Sequence, residues 1–329
     1  MRRRQFLLAL AGAPLVRYPE VAPVLRLRFP RDHGAHPDYR TEWWYATGWL
    51  ERAGAPLGFQ ATFFRARTPW RYDEGGGFAP RQIVLAHAAL ADPGLGRLRH
   101  DQRAAREAFG LAGAAEGTTD AWIGDWRLKL DGNDYRARIA ARDFALDLSL
   151  AAASPPLLQG DRGYSRKGPR PGEASYYYSR PQLEVEGTVD GTKVRGRAWL
   201  DHEWSSEYLA PEAAGWDWCG LNLDDGGALM AFRMRAKAGG VFYAPEGIAF
   251  EPLRAWRSPR TGIDYPVAMR VRTPKGEWDL EPLMDDQELD ARLTTGTVYW
   301  EGAVRALRAG REAGRGYLEL TGYGAPMAL

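Results

Sequence analysis

Apolar and polar positions alternate with a period of two over most of this chain. Phe144, Leu146, Leu148 and Leu150 alternate with Ala145, Asp147 and Ser149, the mark of a strand with one buried face. Leu183, Val185, Gly187 and Val189 alternate with Glu184, Glu186 and Thr188, Asp190-Gly191 marks a turn, and alternation resumes over 194–200. That pattern predicts a hairpin. Residues 218–223 and 228–235 flank Asp224-Asp225-Gly226-Gly227 as a second hairpin. Further strands are predicted at 42–50, 58–65, 82–91, 122–130, 135–140, 247–251, 267–271, 297–304 and 316–322. Helix signals are few: residues 101–111 (DQRAAREAFGL) carry the best one, and 211–214 fit a single turn. Many short strands with Gly and Pro turns predict an all-β protein of antiparallel sandwiches or barrels.

Residues 151–178 interrupt the alternation with Pro155-Pro156, Gly160, Gly163, Gly168, Pro169 and Gly172 before Tyr176-Tyr177-Tyr178. Such a segment is either a binding loop or a plain crossover. Residues 210–215 are the best place for a domain boundary.

Composition narrows the classes. With 45% hydrophobic and 26% charged residues the chain can bury a core. Lys and Arg number 44 against 42 Asp and Glu, a net charge of +2. That balance gives no electrostatic case for nucleic acid. The single Cys, Cys219, excludes an internal disulfide framework. Arg2-Arg3-Arg4-Gln5-Phe6-Leu7-Leu8 followed by an apolar stretch to Val16 resembles a twin-arginine export signal. It predicts a periplasmic or secreted bacterial protein.

Two segments, 33–50 and 196–220, concentrate Trp43, Trp44, Trp49, Trp199, Trp204, Trp216 and Trp218 with His33, His36 and His202. Polar groups mixed with Trp are costly to bury without partners. Alternation puts His202 and Trp204 on one face and Asp201 and Glu203 on the other. His202 is then either a general acid or base in an apolar pocket or a core histidine satisfied by a carboxylate. Asp217 lies on the face opposite Trp216 and Trp218. Facing a pocket, its pKa would rise by desolvation and suit a proton donor; facing solvent, it is merely polar. Glu42 shares a face with Trp44, as a partly buried carboxylate or a surface one. His33, His36, His87 and His202 have no metal-specific spacing, so no metal is expected. No GxSxG, P-loop or strand-linked GxGxxG is present.

These residues resemble the carotenoid 1,2-hydratase (hydroxyneurosporene synthase) superfamily, in its exported AttH-like branch of predicted secreted hydrolases. The matching stretches are His36-Pro37 with Glu42-Trp43-Trp44-Tyr45-Ala46-Thr47-Gly48, Gly58-Phe59-Gln60, Phe63-Phe64-Arg65 and Ala86-His87-Ala88. They continue with Tyr176-Tyr177-Tyr178-Ser179, Leu200-Asp201-His202-Glu203-Trp204, Gly215-Trp216-Asp217-Trp218 and Leu318-Glu319-Leu320-Thr321-Gly322-Tyr323. The resemblance implies two lipocalin-like β-barrel or sandwich domains in tandem. Residues 1–24 would be signal and linker, 25–209 the hydratase-type domain and 210–329 the lipocalin-like one. An apolar ligand would lie in a barrel mouth or between the domains.

The reaction so implied is cofactor-free hydration of an alkene. An acid protonates the double bond, Trp faces stabilise the cation and water captures it. His202, Asp217 and Glu42 are the expected catalytic residues. Trp204, Trp44, Trp43, Trp216, Trp218, Tyr177 and His87 are the expected ligand contacts. The expected partner is a hydrophobic isoprenoid, polyene or lipid-like molecule, with association at a membrane surface or with a transporter. Two other readings stay open: a non-catalytic carrier or export accessory protein, and a secreted glycan hydrolase using two of Glu42, Glu203 and Asp217. The sequence does not give the oligomeric state.

Overall fold

The computed structural model describes residues 16–69 and 80–327. The twin-arginine-like stretch falls in residues 1–15, outside the described residues. Among the described residues the architecture is all-β, with one short 3-10 turn at Arg31–His33. No described helix is long and apolar enough to cross a membrane.

The strands form two antiparallel sheets of thirteen and nine strands. The first holds every strand from Thr41–Arg52 to Thr192–Ser205, and the second every strand from Ala213–Leu223 to Arg311–Leu320. The change of sheet therefore falls between Ser205 and Ala213. Each sheet curls around its own apolar core. In the first, Gln82–Asp92 bends round to contact Ala112–Ala114 and Asp120–Ile123, enclosing Trp44, Phe59, Phe63, Trp126 and Leu200. In the second, the core is built on Leu221, Met269, Trp278, Trp300 and Leu318. The all-β class is the one expected from the pattern, and the tandem lipocalin-like arrangement is the one implied by the resemblance.

The hairpin expected at Asp190-Gly191 joins Ala174–Val189 to Thr192–Ser205. Both turn residues have positive φ (52° and 75°), the requirement of a type I′ turn, which matches strand twist. The helix expected over 101–111 is absent. Arg97–Arg106 is a strand, paired with Gln82–Asp92 so that Ala86 faces Arg103. It lies at the end of the sheet path, and its Arg and Asp residues suit an edge that must resist further pairing. The segment 151–178 is not one free loop. Short strands Leu157–Leu158 and Tyr164–Arg166 pin it to Ala174–Val189.

The two sheets meet face to face. Thr41–Arg52 packs on Arg311–Leu320, and Trp49 Nε1 donates to Gly316 O at 2.9 Å. Tyr45, Trp49, Trp199, Trp218, Ala303 and Tyr317 form a core shared by both sheets. Gly58 permits this approach, because a Cβ there would lie 2.6 Å from the Ala303 Cβ.

Candidate functional site

Register fixes which Trp-rich residues can meet. In the pairing of Thr41–Arg52 with Thr192–Ser205, Glu42 faces Trp204, Trp43 faces Glu203, Trp44 faces His202 and Tyr45 faces Asp201. Alternation sends Glu42, Trp44, His202 and Trp204 into the body of the first sheet. It sends Trp43, Tyr45, Asp201 and Glu203 toward the second sheet.

The inward set forms a buried polar brace. His202 Nε2 lies 2.9 Å and His36 Nδ1 2.8 Å from Glu42 Oε1. Arg65 Nε donates to Glu42 Oε2 at 2.8 Å, and the other Arg65 nitrogens reach Gln82 Oε1 and the carbonyls of His36 and Tyr39. His36 stacks on Trp204 at 3.7 Å between centroids, and Trp44 stacks on His202 at 4.6 Å. Burial opposes charge on Glu42, yet Arg65 and His36 outweigh it and hold the carboxyl well below the usual range. Burial also works against a proton on His36, but Glu42 and Asp32 raise its pKa overall. At His202 burial wins and lowers the pKa, with Glu42 a partial offset.

The ligand atoms of His36, Glu42 and His202 lie within 4.8 Å of one another. Their nitrogen–oxygen separations of 2.8 and 2.9 Å are those of hydrogen bonds. Tetrahedral zinc with ligands at about 2.1 Å would hold its ligand atoms roughly 3.4 Å apart. The donor set is already spent on the brace.

A cavity of about 160 Å³ lies between the sheets. From the first sheet Trp43, Tyr45, Gln60, Phe64, His87, Tyr177, Asp201 and Glu203 line it; from the second, Trp216, Trp218, Phe232, Tyr299, Glu301 and Glu319. Trp43, Trp216, Trp218, Tyr177 and His87 thus share one wall system. Trp44, Trp204, His202 and Glu42 do not reach it. His202, Asp217 and Glu42, the expected catalytic residues, therefore do not converge on this cavity. Asp217 faces the opposite side of its strand, where Arg233 Nε (2.6 Å), Arg235 Nε (3.2 Å) and the Tyr323 hydroxyl (2.9 Å) hold it. The carboxylates proposed for a glycan hydrolase, Glu42, Glu203 and Asp217, likewise face different spaces.

The acids that do line the cavity are others. Asp201 accepts from Ser179 Oγ (2.5 Å), Tyr177 Oη (2.6 Å) and Trp199 Nε1 (2.6 Å). Burial pushes it up to about 7 against those three donors, with Glu203 adding repulsion. Glu203 pairs with Lys167 at 2.9 Å and accepts a short hydrogen bond from Ser175. Glu301 and Glu319 are cross-strand partners. Burial, then the Glu319 charge, raises Glu301 well above the usual carboxylate range. Burial also lifts Glu319, to about 7, and Asp201 and Glu203 add to it. Gln60 Nε2 donates to Glu301 Oε2 at 3.1 Å. Around that contact Glu301, Tyr45, Thr47, Gln60 and Tyr299 lie in reach of one another, but Glu301 Oε1, Tyr45 Oη, Thr47 Oγ1 and Gln60 Oε1 make no well-formed hydrogen bond among the described residues. Polar atoms held so loosely are a place for a ligand or water to bond. His87 sits alongside, its nitrogens 2.8 Å from Tyr299 Oη and 2.7 Å from Thr294 Oγ1. Burial pushes it down to about 3, so it is neutral.

Sequence reasoning passed over Glu301, Tyr299 and Lys167, quoted Glu319 only within a motif, and assigned Asp201 no role. A signal existed for two of them: each glutamate is a lone charge inside an apolar strand, at Tyr299-Trp300-Glu301-Gly302-Ala303 and Tyr317-Leu318-Glu319-Leu320.

Comparisons with known proteins agree with this architecture. The chain is 49% identical to a protein described as an AttH from Nitrosomonas europaea. The match covers 93% of this chain and 99% of that one, with a TM-score of 0.86. Kievitone hydratase from Nectria haematococca shares the fold at 13% identity, covering 95% of this chain and 98% of its own, with a TM-score of 0.62. No curated protein sequence matches. The sequence profile of the AttH-like family matches residues 20–323, and the chain therefore belongs to the AttH-like family.

Proposed function

We propose that the cavity binds a hydrophobic, unsaturated molecule and hydrates it by acid catalysis, with Glu301 as the proton donor. The carrying observation is a pair of facing carboxyls, Glu301 and Glu319, in an aromatic cavity, where burial and the neighbouring charge hold Glu301 well above the usual carboxylate range. Glu301 and Glu319 titrate as a pair, and in a water-poor site one of them keeps its proton at neutral pH. The likeness to a hydratase supports only the fold, so the reading rests on these residues.

Each step balances. Glu301 gives its proton to one alkene carbon, and the positive charge forms on the more substituted carbon. The faces of Trp43, Trp216 and Trp218 and the surrounding carboxylates favour that charge. Water adds to the cation and returns one proton to Glu301. The net change is one water added across one double bond, and Asp201, saturated by three donors, shapes the site without giving a proton.

The test uses a panel of acyclic prenyl alcohols in deuterium oxide, with products read by mass spectrometry. Hydrated product with one carbon-bound deuterium is expected, with a rate that falls once rising pH removes the Glu301 proton, well above the usual carboxylate range. Glu301→Gln should abolish it while the alcohols still bind. Bound but unaltered alcohols with the unsubstituted protein would favour the carrier reading. Full turnover by Glu301→Gln would remove Glu301 from the mechanism.

A further inference from the structure

We propose that the cavity is the inner half of a two-compartment site, and that its ligand is elongated, with an apolar unsaturated head and an oxygenated far end. This rests on the reading that the cavity takes a hydrophobic molecule.

Size is the first argument. At about 160 Å³ the inner cavity matches the roughly 150 Å³ that accommodates a single benzene ring. Pockets for larger organic ligands run to about 300–1,000 Å³. The acids can therefore surround one ring or one branched five-carbon end, and the rest of a longer ligand needs other space.

That space lies next door. A second cavity of about 470 Å³ is lined by Met230, Tyr243 and Ile248, with Gln159 and Arg166 among its polar groups, and it shares Phe232 with the first. Both follow the strand Ala228–Ala236. Met230, Phe232 and Met234 fall on one face of it. Met234 lines the inner cavity, Met230 the outer, and Phe232 stands between.

Lys167 is the other half of the partition. Its ammonium lies 4.1 Å from the Phe232 ring centre. It is 2.9 Å from the Glu203 carboxylate, on the inner side, and 3.2 Å from Ser165 Oγ, on the outer side. A ring, Phe232, and a flexible side chain, Lys167, thus stand where the two cavities adjoin. Rotation of both would let a chain pass from one compartment to the other. The inner compartment offers Trp faces and buried carboxyls, whereas Gln159 and Arg166 at the outer one suit hydroxyl or carbonyl oxygen.

Calorimetric titration with prenol (a five-carbon alcohol) and farnesol (its fifteen-carbon homologue) tests this. Met230→Trp and Ile248→Trp each fill the outer compartment from a different side, so one can stand in if the other fails to fold. The unsubstituted protein should bind farnesol at least tenfold more tightly than prenol. Each folded variant should cut the farnesol-to-prenol affinity ratio at least threefold. A smaller cut in both, or a ratio below tenfold in the unsubstituted protein, overturns the two-compartment site while leaving the hydrophobic cavity intact. Binding of neither alcohol by the unsubstituted protein defeats the underlying reading, and this inference with it.

Discussion

Replacing Glu42 by Gln separates a structural role from a catalytic one. Gln keeps the shape but loses the charge that faces Arg65, His36 and His202. The Arg65 side chain is 2% exposed and that of Glu42 is wholly buried, so water cannot replace the lost counter-charge. Removing one member of a buried ion pair costs about 3–5 kcal/mol. The amide oxygen still accepts one hydrogen bond, which places this variant near the lower end, about 3 kcal/mol. For 329 residues, at about 2.1 cal/mol/K of unfolding entropy per residue, that is a fall of roughly 4 °C in Tm. The penalty also depends on pH. His36 has a raised pKa in the folded state, so its contribution is complete below 6.5 and is lost as pH rises through the raised value. The lowered pKa of Glu42 makes its own contribution present above 4.5 and lost as pH falls. The penalty should therefore be larger at pH 6 than at pH 9. Urea unfolding followed by circular dichroism at both pH values measures it. A penalty below about 1 kcal/mol at pH 6, or one that grows toward pH 9, would refute the brace.

Two further outcomes follow from buried groups outside the brace. His87 is 1% exposed and its pKa is pushed down to about 3. The unfolded chain takes up a proton there below 6.5 while the folded one does not, so stability present above 6.5 is lost as pH falls. Two pH units below 6.5 this amounts to about 2.7 kcal/mol, and His87→Gln should flatten the urea-measured decline between pH 6.5 and 4.5 by that amount; an unchanged decline would count against it. Gly58→Val would press a side chain into Ala303 and the Tyr317 hydroxyl of the other sheet, at an overpacking cost of about 1–3 kcal/mol. An unaltered Tm would show that the sheets do not meet closely at this glycine.

Much of the fold was legible in the chain. The Asp190-Gly191 turn, the strands on either side of it and the all-β class all follow from period two and turn chemistry. So does the sorting of residues into companions: His202 does travel with Trp204, and Asp201 with Glu203. The segment 101–111 was misread because its Ala, Arg and Glu residues have helical propensity, which pairing with Gln82–Asp92 overrides.

What the sequence could not decide is which face of each Trp-rich strand meets open space. Alternation says which side chains share a face but not what lies over that face. A strand between two packed layers carries aromatic and charged residues on both sides, so polarity gives no sign. Only the docking of the two sheets resolves this. It closes His202 and Glu42 into the first core, turns Asp217 toward Arg233, and leaves Glu301, Glu319 and Asp201 around the cavity. Their proton affinities follow from that same burial, because desolvation belongs to the assembled interface and to no single strand.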